Sequence, residues 1–404
     1  MDCGKIVYIF LLFAYSLWGK GLSVRVNAPY SVLINGDTKS VLYEKKAHEA
    51  VFPASTTKIA TALWAIKKGK DQFDQEVKVP RSCLTMLPQE IKESRGYQIP
   101  PYWLEPDGTS YGLKGREVTS LRSLLYGLML ASGNDAANVI AMTLSKKIAT
   151  FVKEMNLYVS LLGCENTHFT NPHGLHFPTH KTSAYDLGLM TSEALKEPLF
   201  CEIVQTLDYT CPFSNRCIKQ PNRLLKKGRF FFEEALGVKT GYTSNAGYCF
   251  VAAAKKEGRT LIAVMLGCKE NFDRYRDALA LFDAAFSEPM KKRCLYNRQE
   301  NNFETTIETR SIKVELSEDL FYEYYPAEEE ELVRDIVWND KKLPIRKGDC
   351  LGRLEVSVKG GRKICFAKLI AAEDIEKPKS SRMYLFFIPF LIIPIFLKRV
   401  NPLR

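Results

Sequence analysis

The chain has 404 residues, of which 46% are hydrophobic and 25% are charged. This composition is typical of globular proteins and excludes a collagen-like or largely disordered chain, and the length predicts two or three domains. The formal net charge is +11, but the basic residues are scattered along the chain. Because no nucleic-acid-binding motif accompanies them, we interpret them as a solvated surface and expect no nucleic-acid partner.

The N-terminal segment 1–28 has the pattern of an export signal. Lys5 precedes an apolar run from Ile6 to Trp18, and the small residues Gly19 and Gly21 follow it. Because this run is too short for a comfortable membrane span, we predict a signal peptide. The cleavage position stays open between residues 19 and 28. An uncleaved N-terminal anchor is the alternative interpretation.

The number and spacing of the cysteines indicate which disulfides and metal sites the chain could form. Export leads to an oxidising compartment, in which disulfides persist, and the chain has 11 cysteines. Cys211 and Cys217 are close enough in sequence to pair, although connectivity does not follow from a sequence. No C-x-x-C pair is present, which argues against a zinc ribbon or a thioredoxin-type site.

Hydrophobic periodicity divides residues 29–290 into strands and helices. We predict strands at 31–34, 40–43, 247–254 and 260–267, and helices at 55–68, 120–131, 135–148, 183–195 and 271–286. Residues 88–115 are rich in Pro and Gly and predict a long surface loop. Helices combined with a mainly antiparallel sheet indicate an α/β (α+β) domain.

The pattern changes after residue 291. Apolar and polar residues alternate over 305–325, 351–358 and 363–369, and a Gly-Gly pair at 360–361 predicts a tight turn. We therefore expect a small all-β domain at 295–372.

We predict that residues 373–404 form a charged linker and a membrane anchor. The run Met383–Leu397 is apolar on all sides and is flanked by basic residues, which favours insertion over lying flat on the membrane. At ~1.5 Å per helical residue it is shorter than a bilayer core of ~30 Å. The depth of insertion stays open, and a buried core helix is the alternative.

Three short motifs in the 29–290 region could carry chemistry. The first is Ser55-Thr56-Thr57-Lys58, which puts a serine and a lysine on one face of a helix. A lysine whose pKa is lowered by burial or by a nearby positive charge can take the proton of a serine hydroxyl. The start of the helix would also favour a developing oxyanion. Taken alone, this motif is most often an exposed helix face.

The second motif is Ser132-Gly133-Asn134, between two apolar helices. A loop at this point could bring a hydroxyl and an amide into a cleft. A plain helix terminus capped by Asn134 is the alternative.

The third motif is Lys239-Thr240-Gly241, which we place directly before a strand. Lys239 and Thr240 would bind a substrate carboxylate, and Lys239 would also disfavour a charge on Lys58. Gly241 has no side chain, so a substrate could approach the strand edge closely. A surface turn is the alternative.

The joint pattern is far more specific than its parts. S-x-x-K, S-x-N and K-T-G in this order are the signature of serine penicillin-interacting enzymes. The chain resembles the D-alanyl-D-alanine carboxypeptidases, the low-molecular-mass penicillin-binding proteins of peptidase family S11, over about residues 29–290. The stretches that carry the resemblance are Phe52–Lys58, Ser132–Ala136, Asn166–Phe169, Asn171–Leu175 and Gly237–Thr243. The 295–372 region and the C-terminal anchor resemble the family layout more loosely.

The resemblance implies a fold and a role for each matching residue. The fold would be that of a serine β-lactamase/transpeptidase-like catalytic domain with a small C-terminal all-β domain. Ser55 would be the acylated nucleophile, Lys58 its proton acceptor, and Ser132 a proton relay towards the leaving D-alanine. The substrate-binding residues would be Asn134, Lys239, Thr240, Gly241 and Tyr242, with the backbone N–H groups of Ser55 and Tyr242 forming an oxyanion hole.

The same resemblance implies the partners and the location. The substrates would be peptidoglycan stem peptides ending in D-Ala-D-Ala, and β-lactam antibiotics would acylate Ser55 because they imitate that end. The enzyme would act without a metal or other cofactor at the periplasmic face of the bacterial inner membrane, held there by its C-terminal segment. The loop 95–108 looks longer than in relatives and could alter access to the cleft.

A zinc hydrolase is a rival hypothesis. His168, His173, His176 and His180 lie close together in the sequence and could supply metal ligands. However, no H-E-x-x-H is present, and the segment is rich in Pro and Gly. We therefore expect these histidines to be structural.

The other alternative hypotheses are enzymes that share the three motifs and a protein without catalytic activity. A β-lactamase of class A type needs a deacylating glutamate, and no Glu-x-x-Leu-Asn follows Ser132. A transpeptidase or an endopeptidase on the same site stays open, because only the acceptor or the scissile bond differs. A wall-binding protein whose active site is no longer functional would be expected to have lost Ser55 or Lys58, and both are present.

Overall fold

The computed structural model describes residues 21–299 and 302–377, which form two compact units. The first unit comprises the described residues up to 292 together with 323–330, and the second comprises 293–322 with the described residues from 331 onward. The predicted signal peptide and the apolar C-terminal run lie outside the described residues. The boundaries 29–290 and 295–372 stay predictions.

The first unit is built on a five-stranded antiparallel sheet in the order β2-β1-β9-β8-β7. Two short hairpins, β3–β4 and β5–β6, accompany it. The strands of this sheet and of the two hairpins are β1 (Tyr30–Asn35), β2 (Val41–Lys45), β3 (Glu76–Lys78), β4 (Val118–Ser120), β5 (Asp208–Thr210), β6 (Cys217–Lys219), β7 (Ala235–Thr243), β8 (Gly247–Lys256) and β9 (Arg259–Cys268).

Helices cover both faces of this sheet. The α-helices described in the first unit are α1 (Lys58–Gly69), α2 (Gln89–Ser94), α3 (Leu121–Met129), α4 (Asn134–Ser145), α5 (Ile148–Leu161), α6 (Ala184–Ala194), α7 (Pro198–Gln205) and α8 (Asp273–Phe286). Strand side chains alternate between two cores: Val32 and Ile34 pack with α1 and α3–α6, whereas Leu33 packs with α8. Because successive strand side chains point to opposite faces, both faces of the strand are apolar.

The second unit contains a five-stranded sheet in the order β11-β12-β16-β15-β14 and most of the residues of β10 and β13, which pair with each other. The strands are β10 (Lys291–Tyr296), β11 (Asn302–Ile307), β12 (Arg310–Leu316), β13 (Leu320–Tyr324), β14 (Leu332–Trp338), β15 (Cys350–Val358) and β16 (Lys363–Ala371). Gly360 and Gly361 have positive φ in the turn between β15 and β16. The α/β (α+β) fold class with an additional all-β part is thus confirmed.

Three local predictions need correction. The helix that we predicted from Ser55 begins at Lys58, because residues Ala54–Thr57 form a 3-10 turn in which Thr57 Oγ1 donates to Ala54 O over 2.9 Å. The K-T-G motif lies inside β7 and not before it. The predicted surface loop 88–115 contains α2 and a buried ion pair between Lys92 and Glu105 at 2.9 Å.

The ten cysteines in the described part of the chain are all unpaired. The possible Cys211–Cys217 disulfide is not formed: Cys211 is buried and Cys217 is exposed at their hairpin. Within the described ranges, we find no helix whose length and hydrophobicity would let it cross a bilayer.

Candidate active site

Ser55 lies in the 3-10 turn that precedes α1, beside strand β7. Ala54 has a φ of 48°, and the hydroxyls of Thr56 and Thr57 donate to backbone carbonyls within the turn. A Cβ built on Gly241 would come within 2.8 Å of the Ser55 nitrogen. The turn and the strand edge can therefore approach this closely only because residue 241 is glycine.

Lys58 is fully buried, with an exposed fraction of 0%. Its Nζ lies 2.9 Å from Ser55 Oγ, 2.7 Å from Asn134 Oδ1 and 2.6 Å from the carbonyl oxygen of His173. The carbonyl and the amide oxygen can only accept hydrogen bonds, so two N–H bonds go to them. In a neutral amine the lone pair is then left for the Ser55 hydroxyl, which is the arrangement of a base with its nucleophile.

The electrostatics of the site favour this neutral amine. Burial lowers the pKa of Lys58 well below the ordinary lysine value, and the nearby charge of Lys239 lowers it further, whereas Asp135 acts in the opposite direction. Since desolvation disfavours the charged form of a lysine, the protein interior prepares Lys58 to accept a proton.

The turn Ser132-Gly133-Asn134 joins α3 to α4. Ser132 has a φ of 55°, and its Oγ lies 3.0 Å from Lys239 Nζ. Asn134 is buried at the start of α4, and its backbone nitrogen donates to the carbonyl of Thr109 over 3.0 Å. The structure therefore brings the S-x-N motif against both of the other motifs.

Lys239 and its neighbours come from β7, an edge strand of the sheet. Lys239 has an exposed fraction of 2%, and burial together with the charge of Arg274 lowers its pKa to about 7. Thr240 is half-buried, Gly241 is buried, and Tyr242 has an exposed fraction of 56%. The free strand edge leaves room for an extended peptide. The ammonium group of Lys239 and the hydroxyl of Thr240 could together bind a carboxylate of that peptide.

Sequence reasoning missed three groups that hold the site together. They are the His173 carbonyl, which accepts from Lys58, the Asp135 carboxylate, and the Arg274 guanidinium, which donates to the Gly241 carbonyl over 3.1 Å. His173 and Asp135 stand in stretches that carry the family resemblance, so the motifs contained a signal for them. No local signal points to Arg274, which is far away in the sequence.

Two of the four histidines of the zinc hypothesis, His173 and His180, take buried structural positions, whereas His176 is half-buried and His168 is exposed. His180 Nε2 lies 2.9 Å from Thr57 Oγ1, and its Nδ1 accepts from the Thr170 nitrogen over 3.0 Å. His173 is buried, and its Nδ1 accepts from the Leu175 nitrogen over 3.2 Å. The His180 ring thus supports the turn that carries Ser55, and the His173 ring supports its own loop. In the described ranges, no cluster of three His, Cys, Asp or Glu side chains suitable for a metal ion is found.

Comparison with known proteins gives matches for both units. The D-alanyl-D-alanine carboxypeptidase family (Peptidase_S11) matches residues 22–270, and the penicillin-binding protein 5 C-terminal domain matches residues 305–377. The D-alanyl-D-alanine carboxypeptidase DacF of Bacillus subtilis is 34% identical over 361 residues, covering 87% of this chain and 86% of the relative. DacB2 of Mycobacterium tuberculosis is 34% identical over 259 residues, covering 62% of this chain and 79% of the relative.

Solved structures agree with these matches. Penicillin-binding protein 5 from Haemophilus influenzae is 25% identical with a TM-score of 0.60, covering 87% of this chain and 98% of that one. The Streptomyces K15 DD-transpeptidase is 28% identical with a TM-score of 0.55, covering 65% of this chain and 98% of that one. From the motifs, the fold and these similarities, the chain belongs to the D-alanyl-D-alanine carboxypeptidase family of serine peptidases.

Proposed function

We propose that this protein removes the terminal D-alanine from peptidoglycan stem peptides through an acyl-enzyme on Ser55. The observation that carries the proposal is the distance of 2.9 Å between Lys58 Nζ and Ser55 Oγ, with the other Lys58 partners restricted to accepting hydrogen bonds. Family membership supports the class of substrate.

In the acylation step, Lys58 takes the proton of Ser55 while Oγ forms a bond to the carbonyl carbon of the penultimate D-alanine. The backbone N–H groups of Ser55 and Tyr242 stabilise the negative charge on the carbonyl oxygen. The C–N bond then breaks, and the proton passes through Ser132 to the nitrogen of the leaving D-alanine. The contact between Ser132 and Lys239 at 3.0 Å supports this relay, because the carboxylate of the leaving residue would bind at Lys239.

Substrate binding follows from the charges of the site. Lys239 and Thr240 bind the terminal carboxylate, while Asn134 holds a substrate amide and keeps Lys58 in place. A charge-assisted hydrogen bond of this kind is stronger than a neutral one, and burial strengthens it further. The free α-carboxylate would therefore select the end of a peptide over its interior.

Water completes the reaction by hydrolysing the ester on Ser55. A β-lactam presents a carboxylate and a strained amide to the same groups, so it acylates Ser55. The broken amide nitrogen stays attached to the acyl group through the opened ring and does not diffuse away. A long-lived adduct on Ser55 is the expected consequence.

We further propose that the enzyme is exported and acts at the periplasmic face of the inner membrane. The match of residues 305–377 to the penicillin-binding protein 5 C-terminal domain supports this location. The signals at residues 1–28 and 383–397 are the basis for export and anchoring.

Transpeptidation on the same acyl-enzyme is the second candidate function. The similarity to the Streptomyces K15 DD-transpeptidase favours it. In that case an amine, and not water, would attack the ester on Ser55. An assay with diacetyl-L-Lys-D-Ala-D-Ala and added glycine separates the two: hydrolysis yields the free shortened peptide, and transpeptidation yields its glycine adduct.

The test of the acyl-enzyme is the intact mass of the ectodomain with and without benzylpenicillin. We expect a mass gain of one antibiotic molecule that is absent from Ser55→Ala, together with D-alanine release from the peptide by the unmodified protein only. Rapid loss of the adduct with antibiotic turnover would instead identify a β-lactamase. Full D-alanine release by Ser55→Ala would overturn the mechanism.

A further inference from the structure

A cleft of about 730 Å³ adjoins the candidate active site within the first unit. Its walls come from the segment just before Ser55, from the β7–β8 hairpin and from the end of β9. The side chains that line it include Phe52, Lys181, Tyr242, Tyr248 and Lys269. Tyr242 belongs both to this cleft and to the candidate oxyanion hole, so the cleft begins where the reacting carbonyl would lie.

The direction of β7 determines which part of a substrate would reach the cleft. With the terminal carboxylate at Lys239 and the reacting carbonyl at Tyr242, the upstream residues of the peptide continue past Thr243 towards the hairpin. An extended chain advances ~3.3 Å per residue, so the second residue upstream lies ~7 Å further along. This position rests on the proposed function.

The charge of the cleft is entirely positive. Among the described residues that line it, the charged ones are Lys181 and Lys269, and none is Asp or Glu. Neither lysine has an ion-pair partner within the described part of the chain. Lys181 Nζ lies 3.0 Å from the centroid of the Phe52 ring, which holds the ammonium group at the wall of the cleft.

The aromatic rings of the cleft suit the rest of a peptide. Tyr242 and Tyr248 have ring centroids 4.5 Å apart, and Phe52 also lines the cleft. Such faces bind the aliphatic parts of a chain. Cations beside apolar rings favour a ligand with a carboxylate on a short aliphatic stem.

We infer that this cleft is a subsite for a carboxylate on the stem peptide upstream of D-Ala-D-Ala, with Lys181 and Lys269 as its counter-charges. The subsite deepens the proposed function, because it would let the enzyme distinguish stem peptides by the charge of a residue outside the scissile pair. Neither lysine contacts Ser55 or its partners in the acylation step, so the chemistry itself is unaffected by their replacement.

The experiment compares two pentapeptides that differ in one group. L-Ala-γ-D-Glu-L-Lys-D-Ala-D-Ala carries a free α-carboxylate on D-Glu, and its partner peptide carries an amide there. We expect the ratio kcat/KM to be about fivefold higher for the acid, as for a partly exposed ion pair. The double variant Lys181→Gln/Lys269→Gln should lose this preference, whereas the charge-conserving Lys181→Arg/Lys269→Arg variant should keep it.

Two readouts show that the variants have an intact active site. Acylation by benzylpenicillin and hydrolysis of diacetyl-L-Lys-D-Ala-D-Ala, which has no upstream carboxylate, should be unchanged. Lys269→Gln alone gives a second test at an exposed position, with a partial loss of preference.

The outcomes separate this inference from the proposed function. Equal cleavage of both pentapeptides by the unmodified protein, or a preference that survives the double variant, would overturn the subsite and leave the carboxypeptidase activity standing. If D-alanine is released from none of the peptides, the proposed function fails and the subsite fails with it.

Discussion

Two lysines share the buried site, and the proposed mechanism requires them in different charge states. Lys58 must be neutral to take a proton, whereas Lys239 must be charged to hold a carboxylate. Burial lowers the pKa of both, and each is lowered further by a neighbouring positive charge, that of Lys239 for Lys58 and that of Arg274 for Lys239. A bound carboxylate would raise the pKa of Lys239 again, because an opposite charge favours the ammonium form. Substrate binding thus restores the difference in charge between Lys239 and Lys58 that the proposed mechanism requires.

A residue-scale prediction follows for the pH dependence. Burial and the charge of Arg274 lower the pKa of Lys239 to about 7, so Lys239 loses its charge as the pH rises through this value. Because kcat/KM reports the free enzyme, it should fall by about tenfold per pH unit above that point. Lys239→Arg stays charged and should abolish this fall. The measurement is kcat/KM for D-alanine release between pH 5 and 10.

The control for this pH profile is Lys256→Arg, at an exposed lysine on β8. It should retain the fall at alkaline pH. If Lys239→Arg showed the same fall as the unmodified protein, another group would be responsible for it.

The sequence predicted which residues lie together where they are close in the chain, and it missed contacts that depend on the fold. Ser55 and Lys58 are three residues apart, so one turn suffices to bring them together. The role of His173 rests on its backbone carbonyl, which every residue type has, so the surrounding stretch Asn171–Leu175 pointed to it and the residue type did not. The burial of Lys58 depends on residues more than 70 positions away, such as Asn134.

At the scale of elements, the 3-10 turn that carries Ser55 rests on the segment around Gly174. This glycine has a φ of +91°, and an added Cβ would overlap the Ala54 carbonyl oxygen. Gly174→Ala should therefore displace the turn, slow benzylpenicillin acylation and lower the free energy of unfolding by about 3 kcal/mol, from backbone strain plus overpacking. Stopped-flow acylation and urea denaturation measure the two effects.

Gly258 provides a matched control for this substitution. Its φ is +80°, but nothing lies within 4 Å of an added Cβ. Gly258→Ala should cost only the backbone strain, about 1 kcal/mol, and leave acylation unchanged. Equal losses in both variants would mean that the contact with Ala54 is unimportant.

A second element-scale prediction concerns the loop that supports Ser132-Gly133-Asn134. The buried Asp135 carboxylate accepts from Ser110 Oγ and from three backbone N–H groups at residues 111–113, at 2.7–2.9 Å. Asp135→Asn replaces an acceptor by a donor that faces N–H groups, so the free energy of unfolding should fall by about 2 kcal/mol. Urea denaturation measures it, and Asp37→Asn, at an exposed aspartate with no ion pair among the described residues, should change little.

Elements were predicted best where periodicity was strong. The helix predicted at 120–131 corresponds to α3 (Leu121–Met129), which begins at a Ser120 cap that accepts from the Ser123 nitrogen. In contrast, β7 was missed as a continuous strand because Gly237 and Gly241 interrupt its apolar pattern. The ordered segment within 88–115 was missed because the Lys92–Glu105 pair that holds it is a tertiary contact.

At the scale of the whole molecule, the chain leaves the first unit at residue 292 and contributes 323–330 to it again. Arg259, buried at the start of β9, pairs with Glu328 at 2.6 Å and lies 3.8 Å from the centroid of the Tyr325 ring. Glu328 also accepts from Asn35 Nδ2 over 2.9 Å. The first unit therefore needs residues that lie more than 30 positions beyond its main segment.

Glu328→Ala should lower the stability of the first unit. Removing one partner leaves the Arg259 charge buried without its main counter-ion, and we expect a loss of about 3 kcal/mol. Thermal and urea denaturation, followed through loss of benzylpenicillin acylation, measure this unit selectively. Glu373→Ala removes an exposed glutamate and serves as the control. Equal stability of the two variants would contradict the proposed dependence on Glu328.

The fold class and the all-β part followed from the order of strand and helix patterns along the chain. The return of 323–330 to the first unit did not, because the alternation over 305–325 looks the same whichever unit a strand joins. Only the long-range pairs of Arg259 with Glu328 and Tyr325 distinguish the two.

The ten unpaired cysteines of the described residues have a practical consequence. No disulfide bond is present in this part of the chain, so the folded state should be the same with or without a reducing agent. Of these thiols only Cys217 and Cys294 are exposed, and they belong to different units. A thiol-reactive label would therefore mark each unit at one surface position without entering a core.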